Sequence, residues 1–160
     1  MLRKLICLSM FAFIAVPVSS APKFKDYPAP VYTGKYQPLK LTKENRSYRT
    51  RFKALSSSNS KANFAGHYVV DFYGCGGGCA SGLIYNAQTG KGDFLPMGAL
   101  TGCYTNDGYI DHEIEYKPDS RLFVTFGMID SIADNECATR YYLEENGKIK
   151  LIYKEPYKNK

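Results

Sequence analysis

Tryptophan is missing from the 160 residues, two histidines occur, and no apolar run is long enough to cross a bilayer as a helix. With histidine this scarce, His67 and His112 are the whole supply of side chains that ordinarily exchange protons near neutral pH, so proton-transfer catalysis has few places to arise. The glycine-rich stretch Gly74, Cys75, Gly76, Gly77, Gly78, Cys79 lacks the marks of a phosphate cradle. Ala80 and Ser81 follow it where a Walker loop needs Lys and then Ser or Thr, and Cys79 takes the third glycine position of the dinucleotide fingerprint. Neither version would open a predicted helix, so no helix dipole completes an anion site. An EF-hand's spacing and central glycine are absent, and no repeat is regular enough for a propeller or solenoid. Nucleotide binding is not supported, and no cofactor or nucleic-acid partner is expected.

What is present begins with residues 1–20, which read as an export signal. Arg3 and Lys4 precede an apolar run over residues 5–16, followed by the small-residue segment Val18, Ser19, Ser20. Cleavage before Ala21 suits Val18 and Ser20, whereas a cut one residue later would put Pro22 just past the broken bond. The expected product is a soluble chain without a transmembrane anchor, periplasmic or secreted. Its 140 residues fit one domain with a real core. Charge is divided unevenly along it. Residues 21–61 hold ten Lys or Arg against Asp26 and Glu44, and residues 62–160 hold nine against thirteen acidic side chains. A basic front on a mildly acidic body either steers an anionic partner, such as an envelope polymer, or folds against its own body.

Pro22, Pro28, Pro30 and Pro38 make residues 21–41 an extended arm. The globular domain is expected over residues 42–160. Thr42 can cap a helix over residues 42–55, with Glu44 in the first turn, where the dipole favours a negative charge. Leu41, Tyr48, Phe52 and Leu55 share one face, and Arg46, Arg49 and Lys53 form a separate basic stripe. Residues 56–60 are a serine-rich linker, after which period-two alternation takes over. Strands are predicted on both sides of the cysteine loop, at residues 93–95, over residues 110–116 and 122–128, and in a last hairpin turned by Asn146-Gly147. The fold class is mainly β (α+β): an antiparallel meander of six to seven strands over residues 64–154, covered by one N-terminal helix and stabilised by disulfides.

Cys75, Cys79, Cys103 and Cys137 remain after signal removal, an even number in an exported chain, which argues for two disulfides. Three connectivities are open. Cys75 with Cys79 closes a small ring whose three intervening glycines tolerate the angles required, and Cys103 with Cys137 is then the second bridge. Thiols with His67 or His112 would instead make a soft metal site, but C-x3-C lacks the paired short spacings of structural zinc. A catalytic cysteine would need a base within hydrogen-bond reach.

His112 alternates in phase with Ile110, Ile114 and Tyr116 and should point to the apolar face. His67 and Asp71 share a strand face but stand about 13 Å apart, too far for a pair. Asp111, Glu113 and Glu115, with Asp130, Asp134 and Glu136 nearby, form an acidic surface that could gather a hard cation or dock the basic helix. Among fourteen tyrosines, Tyr73, Tyr85 and Tyr104 lie near the cysteine and turn segments and could frame a binding patch.

The set Asn63-Phe64-Ala65-Gly66-His67-Tyr68, Gly74-Cys75-Gly76 with Cys79, Thr89-Gly90-Lys91, Pro118-Asp119-Ser120-Arg121-Leu122 and Tyr141-Tyr142 before Asn146-Gly147 resembles a group of small exported bacterial proteins of unassigned function. The resemblance spans about residues 62–153. It departs from the group's pattern at Tyr73, where Trp is usual, and at Gly127-Met128, where a cysteine is usual. It implies location and fold type and carries over no catalytic residue. The functional expectation is an exported, non-catalytic binding module of inhibitor or immunity type. Its binding candidates are His67, Tyr73, Gly76, Gly77, Gly78, Arg46, Arg49 and Lys53, and its partner is an envelope or extracellular protein or an anionic polymer. The alternatives are an enzyme acting on an envelope polymer through His67, and a metal-binding protein using Cys75 and Cys79.

Overall fold

The computed structural model describes residues 20–57, 60–130 and 136–158. The export signal apart from Ser20, the linker residues Ser58 and Asn59, and the carboxylate of Asp134 lie outside the described residues.

Among the described residues there are nine strands: β1 Tyr68–Gly76, β2 Cys79–Asn86, β3 Gly92–Thr101, β4 Cys103–Thr105, β5 Gly108–Ile110, β6 Glu113–Tyr116, β7 Leu122–Ile129, β8 Ala138–Glu145 and β9 Lys148–Pro156. Seven belong to one antiparallel sheet in the order β1-β2-β3-β7-β8-β9, with β6 also on β7, and β4 and β5 make a small separate hairpin. The mainly β meander with its N-terminal helix and two disulfides is therefore the architecture of the chain.

The sheet is joined in the middle by very little. β3 meets β7 at two positions, Leu100 opposite Ile129 and Thr101 opposite Met128, whereas β6 pairs with β7 from Phe123 to Phe126. Gly127 sits where β7 changes partners. Its φ is +142°, and an added Cβ there would overlap the Thr101 carbonyl oxygen. The two lobes, β1-β2-β3 and β6-β7-β8-β9, enclose a core that includes Phe64, Val70, Leu95, Phe123 and Tyr142. At one end Arg140 is fully buried, its guanidinium donating to the carbonyls of Gly127 (2.8 Å), Ala138 (3.3 Å) and Glu136 (2.6 Å). A buried cation is tolerable when carbonyl oxygens satisfy its donors, and here they fix the end of β7 against the approach to β8.

A second apolar layer covers the outer face of β1-β2-β3. The helix is shorter than the expected 42–55 span and begins as a 3-10 turn, Glu44–Tyr48, before the α-helix α1, Arg49–Leu55. Thr42 Oγ1 accepts the Asn45 N–H (3.4 Å), and the buried Asn45 side chain donates to the Gly92 carbonyl (2.9 Å), tying this entry to β3. Hydrogen bonds from its own backbone and from Thr42 hold the Glu44 carboxyl below its usual range. Phe52 and Leu55 are buried against Val69, Leu83 and Tyr85. Each of those two side chains contributes about 2 kcal/mol by leaving water.

Apart from a 3-10 turn at Phe24–Asp26, residues 21–41 are without helix, as their prolines favour, and lie on the body. Their backbone N–H groups reach it at Ala29 to Asp119 O (2.8 Å), Tyr32 to Gly66 O (2.8 Å), Gln37 to Ala87 O (2.9 Å) and Lys40 to Gly90 O (2.7 Å). The body's Lys117 ammonium also lies 4.9 Å over the Phe24 ring of the arm. Among the described residues no Lys or Arg of the arm or helix forms an ion pair with the body.

The structure corrects three strand readings. Residues 110–116 are not one strand: Ile110 ends β5 opposite Cys103, the chain turns at Asp111 and His112, and β6 begins at Glu113. The strand expected at residues 93–95 runs on to Thr101, because Pro96 and Gly98 fall where β2 and β3 lose register between Ser81 and Leu83. The β4-β5 hairpin is too short to announce itself by alternation.

Candidate functional site

Both disulfides serve one end of the molecule. β1 and β2 lose register between Gly74 and Gly76, and Gly76 is then directly opposite Cys79. Gly76, Gly77 and Gly78 take φ of +97°, +56° and +76°, a left-handed run that side chains resist. A Cβ at Gly76 or Gly77 would meet nothing within 4 Å, so backbone angle rather than space demands glycine here. Cys75 and Cys79 are joined, with Cα atoms 5.3 Å apart, and the Ser81 hydroxyl approaches Cys75 Sγ at 3.5 Å. Joined, the two sulfurs offer neither a thiolate nucleophile nor a thiolate ligand.

The second disulfide links Cys103 to Cys137 across a Cα separation of 5.8 Å, which is the preferred pairing of the three. Cys103 is fully buried at the base of the β4-β5 hairpin. From that anchored base the hairpin presents Tyr104, 83% exposed, and Tyr109, 49% exposed, with ring centres 5.1 Å apart. The Tyr109 hydroxyl lies 3.3 Å from where a Gly78 Cβ would stand, so the tyrosine hairpin and the glycine loop are neighbours. A shallow hollow of about 370 Å³ adjoins them, lined by Gly76, Gly77, Cys79, Ala99, Met128 and Asp130, among others.

The remaining candidates are scattered. Tyr73 is not beside the open loop: it faces the helix, 5.7 Å from Tyr48, with the Arg51 guanidinium 4.7 Å over its ring. Strand alternation decides this, since Tyr73 shares its face with Val69 under α1. Burial, then Tyr48, pushes its hydroxyl above the usual range. Tyr85 is fully buried and therefore frames no surface. Of the three tyrosines singled out, Tyr104 alone is open to a partner.

His67 is half-buried, tilted at 37° against the Tyr68 ring with centres 4.2 Å apart. Among the described residues it forms no ion pair with a carboxylate, so no oriented acid–base pair is assembled there. His112 is mostly covered but does not bond within the apolar face. Its Nδ1 stands 2.9 Å from Asp111 Oδ1 without hydrogen-bond direction, and the same oxygen accepts the His112 backbone N–H (2.8 Å). No three His, Cys, Asp or Glu side chains among the described residues come close enough together to hold a metal ion. Glu136 bonds Lys154 (2.7 Å), while Glu113 and Glu115 line a hollow beside Pro22, Lys23 and Phe24. The start of the arm, rather than the helix, thus lies nearest the acidic strand. Arg46, Arg49 and Lys53 are exposed together around Leu39 and Leu41, forming a cationic rim on a hollow of about 340 Å³.

Sequence reasoning missed an apolar-walled cleft of about 540 Å³, which opens between the lobes where the β2-β3 turn faces the β8-β9 turn. Tyr68, Ile84, Phe94, Pro96 and Ile149 supply its walls, and Lys148 and Lys150 stand at its edge. Behind Tyr68 the buried Glu144 carboxylate accepts the Tyr68 hydroxyl (3.3 Å) and the Gly147 N–H (2.9 Å). Burial, and then the Glu144 charge, push the Tyr68 hydroxyl up to about 12. The lining of the cleft comes from four strands and two turns, and no local pattern joins it. Among the described residues no helix is long and apolar enough to cross a membrane. No protein-family model, curated protein or solved structure matches the chain.

Proposed function

We propose that the protein is an exported, non-catalytic binding module of the periplasm or extracellular space, and that its recognition end is the glycine loop together with the tyrosine hairpin. The observation that carries the reading is convergence: two disulfides, one in the loop and one at the hairpin base, hold two exposed tyrosines beside a left-handed glycine run. Exposed aromatic rings on a rigid support lose little conformational freedom on binding, which is why Tyr is enriched in recognition surfaces. The partner that suits such a surface is a protein, gripped by ring faces, hydroxyls and the open backbone of the loop. The disulfides agree with an oxidising compartment, and the N-terminal signal supplies the route to it.

The test places a photoreactive residue at position 104 or 109, and for comparison at the exposed Gln88 of the β2-β3 turn, in the protein exported by the cell that makes it. Positions 104 and 109 should give one discrete adduct that position 88 does not. Adding Gly77→Val, where a side chain meets open space but the backbone angle is wrong, should weaken the adduct at a cost of about 1–3 kcal/mol in stability that leaves the chain folded. Equal adducts from all three positions, or none from the hairpin, would defeat the reading.

A further inference from the structure

The cleft between the lobes lies at the far end of β2 from the glycine loop, and the proposed recognition end makes no use of it. Its volume, about 540 Å³, falls in the range of small-molecule sites. Its charge arrangement is specific. The Lys91 ammonium is taken by Asp93 at 2.7 Å, whereas Lys148 and Lys150 have no carboxylate partner among the described residues. Inside, Ile84, Pro96 and Ile149 offer hydrocarbon surface with no buried charge of their own, while the Phe94 ring turns away to Tyr48 and Phe52 under the helix. The polar group nearest the inner wall, the Tyr68 hydroxyl, is committed to Glu144, and Glu144 is in turn committed to the Gly147 N–H.

From this geometry we infer that the cleft binds a single-chain anionic amphiphile, a fatty-acid-like carboxylate with its hydrocarbon body between the lobes and its head at Lys148 and Lys150. The apolar walls account for the tail. Two cations at the mouth without internal partners account for the charge of the head. The orientation follows from Glu144, whose carboxylate behind Tyr68 disfavours a second anion at the inner end and leaves the mouth as the place where the head is stabilised. Asp93 is the carboxylate among the residues that line the cleft, and Lys91 already holds it; the exposed Glu145 stands across from Lys148 on β8 and forms no ion pair with it among the described residues.

Calorimetric titration of the mature, disulfide-intact protein with sodium decanoate, kept below its micelle concentration, tests this. Saturable binding near one per chain is expected, with decylammonium binding at least tenfold more weakly. Lys148→Gln with Lys150→Gln changes exposed side chains that the fold does not need, and should weaken decanoate roughly tenfold by removing charge-assisted contacts. Ile149→Ser should weaken both the carboxylate and its neutral alcohol, with thermal unfolding followed alongside to show that the variant is folded. Equal affinity for decanoate and decylammonium, full affinity in the lysine variant, or association with phosphatidylglycerol vesicles but not with monomeric decanoate would each overturn the inference.

Discussion

Tyr68 carries more of the structure than its place in an alternating strand suggests. Its ring belongs to the core between the lobes, its face supports His67, and its hydroxyl binds the buried Glu144 carboxylate. With its folded value pushed up to about 12 against an ordinary 10, the folded state holds the phenolic proton more tightly than the unfolded chain does. The stabilisation this gives is complete below pH 10 and is lost as pH rises from 10 through about 12. Tyr68→Phe should flatten that alkaline loss without abolishing it, since burial also raises Tyr73, Tyr85, Tyr116 and Tyr141. Urea unfolding of both proteins between pH 9 and 12 makes the comparison, and parallel pH profiles would remove Tyr68 from the account. The alternation in residues 68–73 correctly separates Tyr68, Val70 and Phe72 from Val69, Asp71 and Tyr73. What lies over each face is not legible in it, and the placing of Tyr73 under the helix comes from tertiary contact with Tyr48.

At the scale of elements, the arm shows why composition predicts conformation better than position. Four prolines leave a chain without helix beyond one 3-10 turn, and its remaining N–H groups find carbonyls on the body at regular intervals. Two glycines make that approach possible. Gly66 and Gly90 have φ of +76° and +81°, and an added Cβ would overlap the carbonyl oxygens of Pro30 and Pro38 respectively. Gly66→Ala should therefore cost about 2 kcal/mol or more, from the backbone angle and the overlap together. It should also expose the arm to proteases at Lys25 and Lys35 at concentrations that leave the body intact. Unchanged stability and unchanged cleavage would mean that the arm contributes nothing to the fold. The open edge at β9 is protected by other means: Lys148 and Lys150 flank its start, and register slips at Ile152, between the pairs Tyr141–Tyr153 and Tyr142–Leu151. Charge and a bulge of this kind discourage pairing with another chain, despite the exposed Leu151 and Ile152.

For the whole molecule, the two disulfides do unequal work. Cys103–Cys137 spans 34 residues and ties the β4-β5 hairpin to the approach to β8, whereas Cys75–Cys79 spans four. On the chain-entropy account, replacing the first pair with Ser costs about 4 kcal/mol and replacing the second about 2 kcal/mol. Denaturant unfolding of the two double variants checks the order. A greater cost at Cys75 and Cys79 would mean that the small loop supports the body rather than merely presenting a surface. The uneven charge of the sequence survives in the fold, since the basic residues of the arm and helix remain without carboxylate partners among the described residues and leave a positive face around α1.

While the structure chose the disulfide pairing, the sequence by itself determined the mainly β class, the covering helix with its apolar face at Phe52 and Leu55, four cysteines suited to two disulfides and the turn at Asn146-Gly147. Each of these is written in local signals: period-two alternation, helical spacing, an even cysteine count, and residues that accept a left-handed turn. Only the tertiary structure decided which of these segments meet. It set Tyr109 beside Gly78, placed Tyr73 under the helix, separated His67 from the carboxylates and opened the cleft at Tyr68, Phe94 and Ile149. Such contacts depend on strand order and on the change of partners at Gly127, and that change rests on a long-range contact with Thr101 that no neighbouring residue encodes.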